Sequence, residues 1–264
     1  AEDGIRDDLV TGVQTCALPI LGIIQGLTEF LPISSSGHLV LSQVILGIQI
    51  PGNDFEVLLH IGTLCSILVV FNNDIKNILF TLSSKETQKF ILMIFVGTIP
   101  AVIVGLGFKD GIARLFDDII VVGFALVFTG ITLIGSFYSK SGNKKNTIIK
   151  AFLIGVAQAI AIIPGISRSG ITISFALLLG LDTRQAAKFS FLLAIPVISG
   201  AGILMATDLR DGFSIDIYTA ASGLITSFFV GMVALKWLLA WLEGGKFHYF
   251  GIYCILIGIL IVIS

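Results

Sequence analysis

The sequence predicts an all-α polytopic membrane protein, built as an inverted-topology repeat with six transmembrane helices and two re-entrant helix–loop–helix pairs. Three observations predict it. The 264 residues are 55% hydrophobic and only 12% charged, whereas a soluble domain averages about 25% charged residues. Two stretches half a chain apart share a pattern, with Gln25 to Gly37 reading QGLTEFLPISSSG and Gln158 to Gly170 reading QAIAIIPGISRSG. At an offset of 133, Gln25, Ile33, Ser34, Ser36 and Gly37 match Gln158, Ile166, Ser167, Ser169 and Gly170. Paired interruptions in corresponding apolar segments mark the binding site of membrane proteins built from inverted repeats. The third observation is that lysines collect in alternate loops.

The first nineteen residues, AEDGIRDDLVTGVQTCALP, are polar and unpatterned. They lack the positive start and apolar centre of a signal peptide. Part of the stretch resembles a translated sequencing adapter, so 1–19 is read as a non-native segment. Asp7, Asp8 and Cys16 are then candidates for nothing. Residues 20–264 form one membrane domain with repeat halves at about 21–138 and 148–264. The segments 21–31, 39–50 and 171–181 are too short to cross a bilayer; eleven helical residues reach about 16 Å, and a span needs ~20 residues. Segment 148–163 is borderline. Hence 21–50 and 148–181 are the re-entrant pairs, with tips LPISSSGH and IPGISRSG. The six spans are 57–71, 90–107, 119–138, 187–207, 217–240 and 248–264.

Orientation follows from positive charge. Lys140 to Lys150 holds four lysines and no acid, and 72–89 holds Lys76, Lys85 and Lys89, so both are cytoplasmic. Loop 108–118, with Asp110, Asp117 and Asp118, falls outside. So do 51–56 and 208–216, while Arg184, Lys188 and Lys246 fall inside. The two re-entrant pairs then dip from opposite faces, and their tips meet near the midplane. A net charge of −1 argues against a nucleic-acid partner, which calls for a basic face. Cys16, Cys65 and Cys254 have neither disulfide-framework nor metal-ligand spacing. Lys236 and Trp241 read as interface anchors.

The tips carry the chemistry. Ser34, Ser35, Ser36 and Gly37 precede one helix, and Ser167, Ser169 and Gly170 precede another. Such residues cap helix N-termini, whose free N–H groups and partial positive charge suit phosphate. Arg168 within the second tip is expensive in a membrane, at least ~2.5 kcal/mol. It reads as a phosphate fork, or as the structural partner of Glu29. Gln25 and Glu29, four apart, share a helix face; an amide oxygen beside a carboxylate suits a hard cation such as Mg²⁺. His38 lies three residues from Ser35 and four from Ser34, within reach of either hydroxyl for acid–base work. Thr172, four after Arg168, adds a hydroxyl. His60 reads as a core histidine held by a hydrogen bond, or else as a residue lining the cavity.

These motifs resemble the undecaprenyl-diphosphate phosphatase family of bacitracin-resistance proteins. Gln25-Gly26-Leu27-Thr28-Glu29 is similar to its (E/Q)xxxE motif, Phe30 to His38 to FLPxSSxGH, and Pro164 to Thr172 to PGxSRSxxT. Gln25 stands where some members have glutamate, which leaves one fewer negative charge for a metal. The resemblance covers 21–264. It implies hydrolysis of a polyprenyl diphosphate to the monophosphate carrier, which recycles the carrier for peptidoglycan and confers bacitracin resistance. It implies a multi-pass protein of the bacterial plasma membrane, with its site open to the periplasmic or outer face. It further implies a divalent cation, Mg²⁺ or Ca²⁺, near Gln25 and Glu29. Glu29, Ser35, His38 and Arg168 are the implied catalytic residues. Ser34, Ser36, Gly37, Ser167, Ser169, Gly170 and Thr172 are the implied substrate-binding residues. Attack by serine, histidine or water stays open, as does a homodimer. The rival reading is a transporter that flips undecaprenyl phosphate, since broken helices around a midplane anion site are the transporter pattern. An ion channel fits less well, because the asymmetric polar set forms no ring.

Overall fold

The computed structural model describes residues 19–47, 54–116, 118–139, 142, 144–208 and 217–263. Among the described residues twelve helices follow one another: α1 (19–30), α2 (Ser35–Leu46), α3 (Asp54–Val70), α4 (Asn72–Phe80), α5 (Lys85–Gly107), α6 (Lys109–Phe116), α7 (Ile119–Phe137), α8 (Ile148–Ile160), α9 (Arg168–Leu178), α10 (Thr183–Asp208), α11 (Ile217–Glu243) and α12 (His248–Ile263). Among the described residues there is no strand. The expectation of a foreign segment at 1–19 falls, Pro19 apart, outside the described residues. So do the orientation assignments at 51–53, Lys140 and 209–216.

Four helices, α5, α7, α10 and α11, are long and apolar enough to cross a membrane. α3 and α4, bent by 68° at their junction, count as a fifth when taken together. The chain is therefore a multi-pass membrane protein. α2, α8, α9 and α12 are apolar but shorter. Two stretches read as loops in the sequence are helical here, α4 within 72–89 and α6 within 108–118. Both are short and mix charge with apolar residues, the pattern of helices that lie along a headgroup layer. α4 buries none of its residues, and Phe80 is 87% exposed. An ion pair from Lys188 to Asp74 at 2.5 Å ties α4 to α10.

Local signals set several helix starts. Ser84 accepts from the Thr87 amide and begins α5, Asp118 accepts from Ile120 and Val121 and begins α7, and Thr147 accepts from Lys150 and begins α8. The packing is then pairwise: α7 on α12, α3 on α11, α5 on α8, and α10 against α3, α5 and α9. If the halves are matched α1/α8, α2/α9, α3/α10, α5/α11 and α7/α12, the contacts α3–α11, α5–α8 and α7–α12 have counterparts. The pair α3–α11 exchanges with α10–α5, while α7–α12 maps onto itself. The pair α5–α8 exchanges with α11–α1, where a Cβ on Gly26 would stand 2.9 Å from the Gly231 nitrogen.

The α7–α12 seam depends on four glycines. A Cβ on Gly130 would stand 2.5 Å from the Gly251 carbonyl, and one on Gly251 would stand 2.7 Å from the Gly130 carbonyl. Gly123 and Gly258 repeat the arrangement at 3.1 and 2.6 Å. Backbones this close gain dispersion contacts, which drive helix association where lipid removes the hydrophobic term. Gly130→Leu is therefore expected to lower thermal stability in detergent by roughly 1–3 kcal/mol or more, the cost of overpacking. An unchanged melting temperature would mean that the seam yields.

Candidate active site

The first tip begins where α1 ends. Leu31 to Ile33 form a turn, and Ser34 adopts φ 70°, ψ 102°. This backbone conformation costs a non-glycine residue about 1–3 kcal/mol. The Ser34 hydroxyl offsets part of that cost by accepting from the Gly37 amide at 3.3 Å and capping α2. The second tip turns through Gly165 at φ 91°, where a Cβ would meet the Val122 carbonyl at 2.5 Å. Ser167 caps α9, accepting from the Gly170 amide at 3.1 Å. Thr129 of α7 braces this tip: its hydroxyl donates to the Gly165 carbonyl at 3.2 Å and accepts from the Ser167 amide at 3.1 Å.

The tips touch. Ser169 Oγ donates to the Phe30 carbonyl at 3.0 Å. A Cβ on Gly170 would stand 3.1 Å from Pro32, and one on Gly37 would stand 3.3 Å from Gly165 Cα. The N-termini of α2 and α9 thus lie side by side, one from each half.

Glu29 is the hub of this junction and is 7% exposed. Its Oε1 accepts from Arg168 Nη2 at 2.5 Å. Its Oε2 accepts from Ser35 Oγ at 2.7 Å and from Gln25 Nε2 at 3.1 Å. His60 Nε2 faces Oε2 at 3.4 Å, and its Nδ1 sits 2.7 Å from the Glu56 carbonyl. α3 carries His60 there because it is tied to α11, with Ser66 Oγ donating to the Phe228 carbonyl at 2.7 Å and Ser227 Oγ to the Leu59 carbonyl at 3.1 Å.

Beside this hub is a cavity of about 340 Å³. One side is polar: Glu29, Ser35, Ser36, Glu56, His60, Gln158, Ser167 and Arg168. The other is apolar, made by Ala101 of α5, Phe116 of α6, and Val197, Ile198 and Ala201 of α10. Arg168 Nη1 is buried and has no protein partner.

Of the residues singled out in the sequence, Glu29, Ser35, Ser36, Ser167 and Arg168 line the cavity, while Ser34, Gly37, Ser169 and Gly170 build its helix ends. Two have other partners. His38 bonds neither serine hydroxyl: Nδ1 meets the Ser34 carbonyl at 2.8 Å and Nε2 meets Tyr253 Oη of α12 at 2.8 Å. Thr172 donates to the Arg168 carbonyl at 2.8 Å and pairs with Ser190 Oγ of α10 at 2.5 Å. His60, read as a core residue or a cavity-lining one, lines the cavity and stands at the carboxylate. Its Glu56/His60 spacing of four was the available signal, because it places both side chains on one helix face.

A hard cation wants several oxygen ligands. Gln25, bonded to Glu29, has a buried Oε1 without a protein partner, and Glu29 and Glu56 border the cavity. Among the described residues, no three His, Cys, Asp or Glu side chains come close enough to hold a metal by themselves. The set fits a cation that takes most of its ligands from substrate and water.

Apolar helices packed around an inner polar cavity define a multi-pass membrane protein. Residues 18–260 match the family described as bacitracin resistance protein BacA, and the chain belongs to that family. It is 44% identical over 255 residues to the undecaprenyl-diphosphatase of Christiangramia forsetii, covering 92% of this chain and 96% of that protein. It is 45% identical over 251 residues to the undecaprenyl-diphosphatase of Halothermothrix orenii, covering 92% and 95%.

Proposed function

We propose that this chain hydrolyses undecaprenyl diphosphate to undecaprenyl phosphate and inorganic phosphate. The reaction recycles the lipid carrier for peptidoglycan and other envelope polymers, and it confers resistance to bacitracin. The observation that carries this reading is Arg168 at the start of α9, one nitrogen on Glu29 and the other buried without a protein partner beside the Ser35 hydroxyl's cavity. The names and coverage of the relatives support it. The apolar wall supports a lipid substrate, whose head meets the polar side while its tail leaves along α5 and α10.

The architecture we propose is the inverted repeat, with six spans and two re-entrant pairs formed by α1–α2 and α8–α9. The exchange of helix pairs between halves supports it, as does the shortness of α2, α8 and α9. We place the protein in the bacterial plasma membrane with the cavity open to the outer face.

Phosphoryl transfer asks a protein mainly for positioning and charge stabilisation. Arg168 Nη1 and the free N–H groups at the starts of α2 and α9 hold the diphosphate oxygens. Glu29 orients Ser35 Oγ through their 2.7 Å hydrogen bond. Ser35 is then the group placed to attack the terminal phosphorus: its proton passes to Glu29 Oε2 as the Oγ–P bond forms, the bridging P–O bond breaks, and undecaprenyl phosphate leaves. Water subsequently releases phosphate from the serine. His38, engaged by Tyr253, holds α2 against α12. Gln25 Oε1, Glu29 and Glu56 would hold a divalent cation, which would supply charge neutralisation at the phosphates.

The test is phosphate release from undecaprenyl diphosphate by the purified protein in detergent with Mg²⁺. Intact lipid binding without release would favour the flippase reading. EDTA should abolish release, and added Mg²⁺ or Ca²⁺ should restore it; full turnover in chelator would remove the cation from the mechanism.

A further inference from the structure

We infer that Gln158 is a second binding residue for the diphosphate head and the one that separates a diphosphate from a monophosphate. The inference rests on the hydrolase reading and adds a residue to its site.

Gln158 is the repeat counterpart of Gln25, but the two amides have different neighbours. Gln25 Nε2 is used inside the protein, on Glu29. At the same offset of 133, the position matching Glu29 is Ile162. The second half therefore has no carboxylate to take the amide of Gln158. Gln158 is 1% exposed, and neither Nε2 nor Oε1 has a protein partner. It lies within the last turn of α8 and lines the same cavity as Arg168 and Ile162. A buried amide with no protein partner is costly unless the cavity's contents satisfy it.

Two donors from different helices, Gln158 Nε2 and Arg168 Nη1, thus open onto one cavity with nothing in the protein to receive them. A ligand with two phosphate groups satisfies both. The monophosphate product satisfies one, so it is held less tightly and leaves. Gln158 Oε1 accepts from water in the cavity.

Gln158→Met keeps the length and removes both hydrogen-bonding atoms. It should raise KM for undecaprenyl diphosphate at least tenfold and lower kcat less than threefold. Inhibition by undecaprenyl phosphate should stay within twofold, and the melting temperature should not fall. Gln158→Glu, of the same size but with an anionic acceptor, should raise KM further. A KM within twofold of wild type in either variant overturns the assignment. A fall in melting temperature with kcat reduced and KM unchanged makes Gln158 a packing residue and also overturns it. If the wild-type protein itself releases no phosphate, the hydrolase reading fails; if it does and Gln158→Met matches it, only the role of Gln158 fails.

Discussion

Arg168→Lys is expected to lower phosphate release by about 10²–10³-fold, equivalent to the roughly 2.7–4 kcal/mol lost with one transition-state donor. The guanidinium serves two masters at once. Nη2 is committed to Glu29 Oε1 at 2.5 Å, while Nη1 is buried without a protein partner. A lysine ammonium is a single point charge on a flexible stem and cannot hold both ends of that geometry. Arg168→Ala should go further and also lower the melting temperature. Removing one member of a buried ion pair costs about 3–5 kcal/mol, because the other charge is left uncompensated. The readouts are steady-state phosphate release and thermal unfolding in detergent. Arg168→Lys turning over at more than a tenth of the wild-type rate would count against a two-ended clamp.

Ser35→Ala is expected to cost about 10³-fold or more in kcat, the scale seen when a nucleophile is removed from a preorganised site. Ser35 is the first residue of α2, lines the cavity and donates to Glu29 Oε2 at 2.7 Å. Its neighbour Ser36 also borders the cavity, but its hydroxyl is 3.4 Å from Ser34 Oγ, so Ser36→Ala should lose less than tenfold. Quenching a reaction with labelled terminal phosphate in acid should leave label on the wild-type chain and none on Ser35→Ala. Retention of a tenth of the activity in Ser35→Ala would move the attack to water.

The membrane class and the all-helical, multi-pass character were legible because composition and segment length act locally. The capping serines were legible for the same reason: Ser34 and Ser167 bond amides three residues ahead. Gln25 and Glu29 could be placed together from a spacing of four, and the structure joins them at 3.1 Å. The amphipathic helices α4 and α6 were missed because their charges read as loop residues, although they also suit a helix lying in an interface. The partners of His38 and Thr172 were not legible. Tyr253 is 215 residues from His38, and Ser190 reaches Thr172 only through the packing of α10 on α9. Which of the two readings of His60 holds was not legible either, since its approach to Glu29 depends on how α3 sits against α11.

The Glu29–Arg168 pair spans 139 residues, with one partner in each half of the chain. During synthesis the carboxylate enters the bilayer long before its counter-ion leaves the ribosome. Until α9 is threaded there is no Arg168 and no second helix end, so on the proposed site a chain cut short between the halves is expected to be catalytically inert however well its first half inserts. On the proposed site, activity is expected only after the second half has joined the first.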